Sequence, residues 1–280
     1  MENLIRHSVI AGSWYPAEPD ELSADLDDYL QAGQPSSAVG TPVAIVAPHA
    51  GYFYSGRTAG WAFASVRNLQ PDVVAVLSPM HQADRAGFFT SGYAAYQTPL
   101  GEVPVDAGLV AQLADRLLHE YRLPLLPLLR EEEHSLEIEL PFLQRIYPQP
   151  FTLLPLMVSD LSPARCRQVS QSLADVLTGH SALVVISTDL SHYHPLPVAE
   201  QMDACMLDAV LRLDVDGVAA AGDSGAGYAC GAGALMTGLQ YARLQGCQRG
   251  ILLGYETSAV SSGDDSAVVG YAAVALVKEA

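Results

Sequence analysis

The stretch LVVISTDLSHYH, residues 183–194, is the key to the fold class. In it an apolar run of strand length ends abruptly in polar residues. Its first four residues are continuous apolar chain, which is typical of a strand covered on both faces of a sheet. The polar residues that follow include Asp189, Ser191, His192 and His194. This boundary predicts a buried strand whose carboxyl end presents groups that titrate or bind metals.

Similar apolar runs recur along the chain and alternate with helical patterns. We predict strands over 43–47, 73–77, 152–158, 183–187, 251–255 and 268–277, and helices over 19–31, 107–121, 163–177, 197–212 and 231–245. Asp106 is the expected N-cap of the second helix, and Ser162 before Pro163 is that of the third. The segment 131–147 is ambiguous because Pro141 would break or kink a helix there. Strands that alternate with helices predict an α/β fold with a largely parallel central sheet flanked by helices.

A single domain over residues 1–280 is the expected organisation. Half of the residues are hydrophobic, so the chain can bury a substantial core, and no internal repeat is visible. Residues 32–41 form a polar segment rich in Gly, Pro and Ser, which predicts a loop. That loop is too short to indicate a boundary between domains.

The composition excludes several classes of function. The chain carries 31 acidic and 14 basic side chains, which gives a formal charge of −17. Nucleic acids and anionic membrane surfaces attract Lys and Arg, so we expect neither as a partner. The apolar runs are too short to span a bilayer, and the first residues do not resemble a signal peptide. Four scattered cysteines indicate no disulfide framework, so we expect a cytoplasmic protein.

Three of the predicted strands are followed closely by a histidine: His49, His81 and His192. In open α/β sheets, ligands bind beyond the carboxyl ends of the strands. A single histidine after a strand is more often an ordinary loop residue, but three of them converge on one site if the strands are neighbours. Two imidazoles and one anionic ligand, with coordination positions left open, suit non-haem Fe(II) or catalytic zinc.

Other residues near these strand ends have two interpretations each. Asp189 lies three residues before His192, where it can orient the imidazole or bind the metal itself. The acidic residues before His134 suit a helix N-terminus, but His134 or Glu137 can alternatively reach the site. Cys230 is either a soft metal ligand or a small buried hydrophobe. No G-x-S-x-G elbow occurs, and no P-loop or dinucleotide motif follows the first strand.

Several segments, taken in order, carry a resemblance to one known family. They include RHSVIAGSWYP near the start, APHAGYFYSG around His49, SPMHQ around His81, EEHSLEIELPFLQ around His134, STDLSHY around His192 and ACGAGALMTGL around Cys230. Together they resemble the Memo family, known in bacteria and archaea as AmmeMemoRadiSam system protein B. The resemblance implies a fold similar to class III extradiol dioxygenases, which hold Fe(II) with two histidines and a carboxylate and cleave catechol rings with O2.

The resemblance also implies roles for individual residues. The metal ligands carried over by motif are His49, His81 and Cys230. His192, with Asp189 beside it, matches the acid/base histidine of the dioxygenases, and another pocket histidine is matched by His134. A thiolate in place of the carboxylate shifts metal preference toward softer ions. From the resemblance we expect Fe(II). The thiolate leaves copper or zinc as alternatives. The expected function is that of a redox metalloenzyme that acts on a small molecule or a protein.

Two other functions stay open at this point. One is a non-catalytic binding or scaffold protein that retains a dioxygenase-like pocket, and the other is a zinc-dependent hydrolase with the same ligands. Human relatives are linked to phosphotyrosine-containing peptides, but the charge of −17 disfavours such a partner unless Arg57 and Arg85 act locally. The family name records a genomic association with AMMECR1-like and radical SAM proteins, which are expected partners. The substrate and the oligomeric state are not predicted.

Overall fold

Strands and helices alternate along most of the chain, as the hydrophobic pattern predicts. A computed structural model describes residues 4–33, 40–83 and 85–279. In chain order the strands are β1 (Ile5–Arg6), β2 (Thr41–Ala47), β3 (Val73–Pro79), β4 (Phe88–Ser91), β5 (Ala95–Thr98), β6 (Gly101–Pro104), β7 (Leu125–Leu128), β8 (Thr152–Val158), β9 (Ala182–Ser187), β10 (His192–His194), β11 (Arg249–Thr257) and β12 (Val268–Lys278).

The helices occupy the connections between these strands. They are α1 (Pro19–Ala32), α2 (Tyr52–Val66), α3 (Ala107–Tyr121), α4 (Leu140–Ile146), α5 (Pro163–Val176), α6 (Leu196–Leu211), α7 (Val215–Ser224), α8 (Ala232–Leu244) and α9 (Ala259–Ser262), with a 3₁₀ turn, Glu137–Glu139, before α4. No helix within the described ranges is long and apolar enough to cross a membrane.

Four parallel strands form the centre of the main sheet. Among the described residues, the order of this nine-stranded sheet is β10–β12–β2–β9–β3–β8–β4–β7, with β11 paired to β12. The strands β2, β9, β3 and β8 are parallel, whereas β12 and β4 run antiparallel to their central neighbours. The predicted α/β fold with flanking helices is confirmed, but the sheet is mixed: it is parallel at its centre and between β4 and β7 at one end, and antiparallel at its other pairings. The antiparallel strand β12 follows β11 after the short segment 258–267, which contains α9, and it needs no crossover helix of the kind that parallel pairing would require.

All the predicted strands and helices are present, and their observed ends differ from the predicted ends by at most two residues. Asp106 caps α3 by accepting a hydrogen bond from the backbone N–H of Leu109, and Ser162 caps α5 in the same way. Pro141 lies in the first turn of α4, where a missing N–H removes no helical hydrogen bond, so it begins a helix instead of breaking one. Most of the predicted loop 32–41, residues 34–39, lies outside the described residues.

The central strands are buried on both faces because helices cover each side of the sheet. Alternate residues of β2 enter different cores: Ala44 and Val46 belong to one, and Ile45 and Ala47 to the other. The first core also contains apolar residues of α3 and α5 to α8, and the second contains those of α1, α2 and α4. This explains why the strand sequences are continuously apolar.

The sheet order brings three strand ends together. β9 lies between β2 and β3 and is parallel to both. Their carboxyl ends, at Ala47, Ser187 and Pro79, therefore lie along one edge of the sheet. The segments that follow these strands contain His49, Asp189 and His81, so the expected neighbourhood of the three strands is confirmed.

Candidate metal centre

His49, His81 and His134 converge at the carboxyl edge of the sheet. One ring nitrogen of each lies within 4.8 Å of those of the other two. The rings of His81 and His134 stack with centroids 4.8 Å apart, and the ring of His49 stands nearly perpendicular to both. Three imidazoles this close together form a site that can hold a metal ion. We call these three residues the histidine cluster.

Two serines hold His49 in one tautomer. The Ser187 hydroxyl donates to the Ser135 carbonyl at 2.7 Å, so its oxygen accepts from His49 Nδ1 at 2.9 Å. The ring proton therefore lies on Nδ1, and His49 Nε2 is left unprotonated, with a lone pair that can bind a metal. Burial, and then the neighbouring His81 and His134, lower the pKa of His49 well below 6.5. A neutral ring with a free nitrogen is the form that binds metals.

Glu133 orients the other two rings of the histidine cluster. Its Oε1 accepts from His81 Nδ1 at 2.9 Å and lies 3.5 Å from His134 Nδ1, while Oε2 accepts from the backbone N–H of His81 at 2.6 Å. Burial opposes ionisation of Glu133, but hydrogen bonds from His81 and Ser135 lower its pKa to about 2. A carboxylate behind Nδ1 fixes the tautomer and makes the opposite nitrogen a better ligand.

Arg6 anchors the segment that carries Glu133 and His134. Its buried guanidinium forms an ion pair with Glu131, donates to Glu137 at 2.5 Å and donates to the Glu133 carbonyl at 2.7 Å. Glu137 also accepts from Tyr15 and Ser8, so it is fully engaged with the N-terminal segment. The alternative in which Glu137 reaches the site is therefore not what the structure shows.

Cys230 lies beside His49 but is not among the residues that line the cavity. Its Sγ is 3.1 Å from His49 Nε2 and accepts from the backbone N–H of Asp189 at 3.2 Å. Burial, and then the carboxylate of Asp189, raise the pKa of this thiol, which favours the protonated form in the absence of a metal. The predicted ligands and the histidine cluster share His49 and His81. The choice of Cys230 over His134 as the third ligand stays a prediction.

A cavity of about 700 Å³ opens onto the histidine cluster, and Asp189 and His192 also line it. Asp189 accepts from the backbone N–H of His49 at 2.8 Å, and its other oxygen lies 4.0 Å from His49 Nε2. Burial raises the pKa of Asp189 to about 7. Burial, and then the charge of His81, lower the pKa of His192. A carboxyl group that titrates near neutrality can exchange protons with a bound molecule.

The structure thus gathers most of the predicted site residues around one cavity, but it does not pair them as expected. Among the described residues, no hydrogen bond joins Asp189 to His192, so the steering of His192 by Asp189 stays a prediction. Glu133 and Arg6 were missed because the contacts of Glu133 with His81 and of Arg6 with Glu137 join residues 52 and 131 positions apart in the sequence. The local signal was the acidic run before His134, which the sequence allows as a helix N-terminus or as a segment whose His134 or Glu137 reaches the site.

Comparisons with known proteins agree with the resemblance seen in the sequence. The sequence profile of the family described as "Memo-like protein" matches residues 6–275. A relative from Nitrosopumilus maritimus (strain SCM1) is 29% identical and covers 98% of this chain and 100% of its own length. A relative from Aquifex aeolicus (strain VF5) is 32% identical, and the match covers 95% of this chain and 97% of the relative. A relative from Archaeoglobus fulgidus is also 32% identical, and the match covers 96% of this chain and 98% of the relative. All three are described as "MEMO1 family protein".

Proposed function

The chain belongs to the Memo-like protein family, and from that premise we propose that it is a redox metalloprotein that uses iron or copper on a small molecule or a protein. The observation that carries the proposal is the histidine cluster at the edge of a ligand-sized cavity. Its donor set fits a metal, because hydrogen bonds to Ser187 and Glu133 hold Nδ1 of His49 and His81 and leave Nε2 of each ring unprotonated.

In this proposal His49, His81 and Cys230 hold the ion, and His134 lines the pocket. The support for Cys230 is its position, since its Sγ lies 3.1 Å from the free nitrogen of His49. A thiolate beside two imidazoles suits iron or copper better than it suits hard ions such as magnesium. When bound, the ion supplies one-electron chemistry and an open coordination position.

The side chains of this protein bind the substrate and move its protons. His192 faces the cavity as a neutral imidazole that can accept a proton from the substrate. Asp189, with its pKa raised to about 7 by burial, can donate or accept one beside His49. Ser187 and Glu133 keep their histidines in the tautomers that leave Nε2 free.

Zinc-dependent hydrolysis is the second candidate function, and the histidine cluster itself favours it. Three imidazoles with one open position are a common ligand set of catalytic zinc, which activates water without any redox change. In that case His134 replaces Cys230 as the third ligand. The two functions therefore differ both in the metal that is bound and in the residue that is its third ligand, and measuring both distinguishes them.

The test is to purify the full chain without oxygen, measure its metal content, and repeat the measurement with variants. We expect about one iron or copper per chain, lost in His49→Ala and reduced in Cys230→Ser but retained in His134→Ala. Substitution with Co²⁺ provides a second readout, because a thiolate ligand adds a sulfur-to-cobalt absorption band that Cys230→Ser removes. Exposed His119 on α3 provides the control, since His119→Ala leaves the metal content unchanged.

The outcomes distinguish the candidates. Zinc retained in Cys230→Ser and lost in His134→Ala favours the hydrolase. A failure to bind any metal stoichiometrically after anaerobic reconstitution overturns both candidates and leaves the scaffold function.

We also propose, on the resemblance alone, that the protein acts in the cytoplasm together with AMMECR1-like and radical SAM proteins. The free state of Cys166, Cys205, Cys230 and Cys247 supports a reducing compartment. Co-purification of the tagged chain from its own cells, followed by identification of the bound proteins, tests the partners.

A further inference from the structure

Tyr193 has a backbone conformation that bulky residues rarely adopt. Its φ is 60°, in the left-handed region that favours glycine. It lies in β10 between His192 and His194, which pair with the adjacent residues Val269 and Val268 of β12. Tyr193 is therefore the extra residue of a β-bulge. Bulges next to functional sites change the direction in which a side chain points, so the direction of Tyr193 is informative.

The bulge places two consecutive side chains on the cavity side of β10. In a regular strand, the side chains of neighbouring residues point to opposite faces of the sheet. His192 and Tyr193 instead both line the cavity above the histidine cluster, and their ring centroids are 5.7 Å apart. The left-handed conformation of Tyr193 therefore adds a second ring to the cavity and leaves His192 in place.

The cavity is polar at its base and aromatic at its mouth. At the base, the side chains of His49 and Asp189 are 3% and 6% exposed. At the mouth, Phe53 is 68% exposed and Tyr193 is 78% exposed. Large rings left this open to water beside a cavity are typical of a surface that a ligand covers. A molecule that enters can therefore place a polar group at the histidine cluster and leave its apolar part between the rings of the mouth.

Two chain segments contribute these rings. Phe53 and Tyr54, in the first turn of α2, form an edge-to-face pair with centroids 5.0 Å apart, and Tyr193 comes from β10. Both segments approach Tyr271 of β12, whose pKa is raised by burial and then by the nearby oxygens of Asp189, Tyr54 and Tyr193. Phe53 and Tyr54 lie in a regular helix, whereas Tyr193 reaches the mouth through an unfavourable backbone conformation.

We propose that Tyr193 determines the specificity of this cavity: its ring holds the apolar part of a small molecule whose polar end reaches the histidine cluster. The substrate class is thus an amphipathic small molecule that enters polar end first. The inference rests on the proposed function in taking the histidine cluster as the metal site. A glycine would adopt the same φ at lower free energy, so the ring of Tyr193 lowers the stability of the fold where it serves binding.

Two hydroxamates test the inference. Acetohydroxamate and benzohydroxamate share one metal-binding group and differ only in the apolar part that they carry. Their binding to the zinc-loaded full chain is measured by calorimetry, with the zinc content determined in the same sample. We expect benzohydroxamate to bind about tenfold more tightly, because its ring is removed from water against the ring of Tyr193.

Tyr193→Gly is expected to change binding and stability in opposite directions. Loss of the ring should reduce the preference for benzohydroxamate severalfold and leave the affinity for acetohydroxamate unchanged. Relief of the left-handed conformation should raise the midpoint of urea unfolding. Tyr193→Phe keeps the ring and should keep the preference. Tyr193→Asn lacks the ring but tolerates the same φ without the flexibility of glycine, so it should lose the preference as Tyr193→Gly does.

Arg122 provides the matched control. Its φ is 59°, and it lies at the end of α3, outside the lining of the cavity. Arg122→Gly should raise the unfolding midpoint in the same way and leave the preference for benzohydroxamate unchanged.

The zinc content separates the two possible failures. If no metal binds after anaerobic reconstitution, the proposed function fails and this inference fails with it. If zinc is bound, the inference alone is overturned by equal affinities of the wild type for the two hydroxamates. It is also overturned by a preference that persists in Tyr193→Gly, or by an unfolding midpoint that does not rise in that variant.

Discussion

Glu133 shows how a single buried carboxylate can organise two rings of the histidine cluster. Its Oε1 accepts hydrogen bonds from His81 Nδ1 and from the backbone N–H groups of His134 and Ser135. The hydrogen bond to His81 directs the free Nε2 of that ring toward the cluster, and the bonds to the backbone fix the position of His134. The metal affinity of the site should therefore depend on a residue that is not itself a ligand.

Glu133→Gln tests this dependence at the scale of one atom. The amide keeps the size of the side chain but lacks the charge that makes it a strong acceptor for His81, so we expect metal affinity to fall about 10- to 100-fold. Competition of the zinc-loaded protein with a chelator of known affinity measures the change. Glu132→Gln, at the exposed neighbouring position, is the matched control and should leave the affinity as it is. Equal affinities in the two variants would contradict the role of Glu133.

At the scale of elements, Arg6 joins the short strand β1 to the segment before α4. The Arg6 guanidinium and the carboxylates of Glu131 and Glu137 are all buried. Breaking a buried network by removing one partner leaves uncompensated charge and costs about 3–5 kcal/mol. Arg6→Met should therefore lower the free energy of unfolding by about that amount, and it should also weaken metal binding because His134 lies on the released segment.

The exposed pair of Arg145 and Asp27 provides a matched control for Arg6. It has two hydrogen bonds, but both partners are well exposed, so Arg145→Met should cost at most about 1 kcal/mol. Urea unfolding of both variants, combined with a zinc titration of each, measures the two effects. A similar loss of stability in the two variants would show that the Arg6 network is not the anchor of the segment.

Asp203 on α6 couples that helix to the stretch after β9 and to β11. It accepts from the backbone N–H of Ser191 at 2.8 Å and from the Tyr255 hydroxyl at 2.7 Å, and burial raises its pKa above 3.8. The folded state therefore binds more protons at this site than the unfolded state does. The contribution of Asp203 to the free energy of unfolding is complete below pH 3.8, and it declines as the pH rises from there through the pKa of Asp203 in the folded state.

Asp203→Asn isolates this contribution because the amide does not titrate. We expect the difference in unfolding free energy, wild type minus variant, to decrease as the pH rises from 3.8. Urea unfolding of both proteins at a series of pH values measures it, and the subtraction removes the contributions of every other titrating group. A difference that is constant with pH, or one that grows, would contradict the burial of an ionisable group here.

Helix α2 shows where sequence patterns do not suffice. It follows His49 and contains Gly56 and Gly60, which lower helix propensity, so the pattern did not predict it. The structure shows why these glycines are there: a Cβ at Gly56 would lie 2.7 Å from the ring of Tyr29, and one at Gly60 would lie 2.4 Å from its carbonyl oxygen. The packing of α1 against α2 therefore decides both the composition of the helix and its existence.

In the candidate site, too, some features are predictable from the local sequence and others depend on the tertiary fold. Strand ends and their histidines were predictable, because parallel strands place their carboxyl ends at one edge and local sequence identifies each strand. The contacts that orient those histidines were not, because the bond of Glu133 to His81 and the bonds of Arg6 to the acidic segment form only in the tertiary fold. A buried carboxylate and an exposed one look alike in a sequence, and only the fold distinguishes them.

At the scale of the whole molecule, the charge of −17 makes the stability of the protein depend on salt. Most of its ion pairs are exposed, so screening them costs little stability. The 31 acidic groups outnumber the 14 basic ones, and the excess negative charges repel one another in the compact state.

Raising the salt from about 10 mM to about 150 mM shortens the Debye length from about 30 Å to about 8 Å. We therefore expect the midpoint of urea unfolding at pH 7 to rise with sodium chloride over this range. The increase should disappear near pH 4.6, where the sequence carries no net charge. A fall in the midpoint at pH 7 would mean that attractive ion pairs outweigh the repulsion, and an equal rise at both pH values would point to a general salt effect on apolar surface.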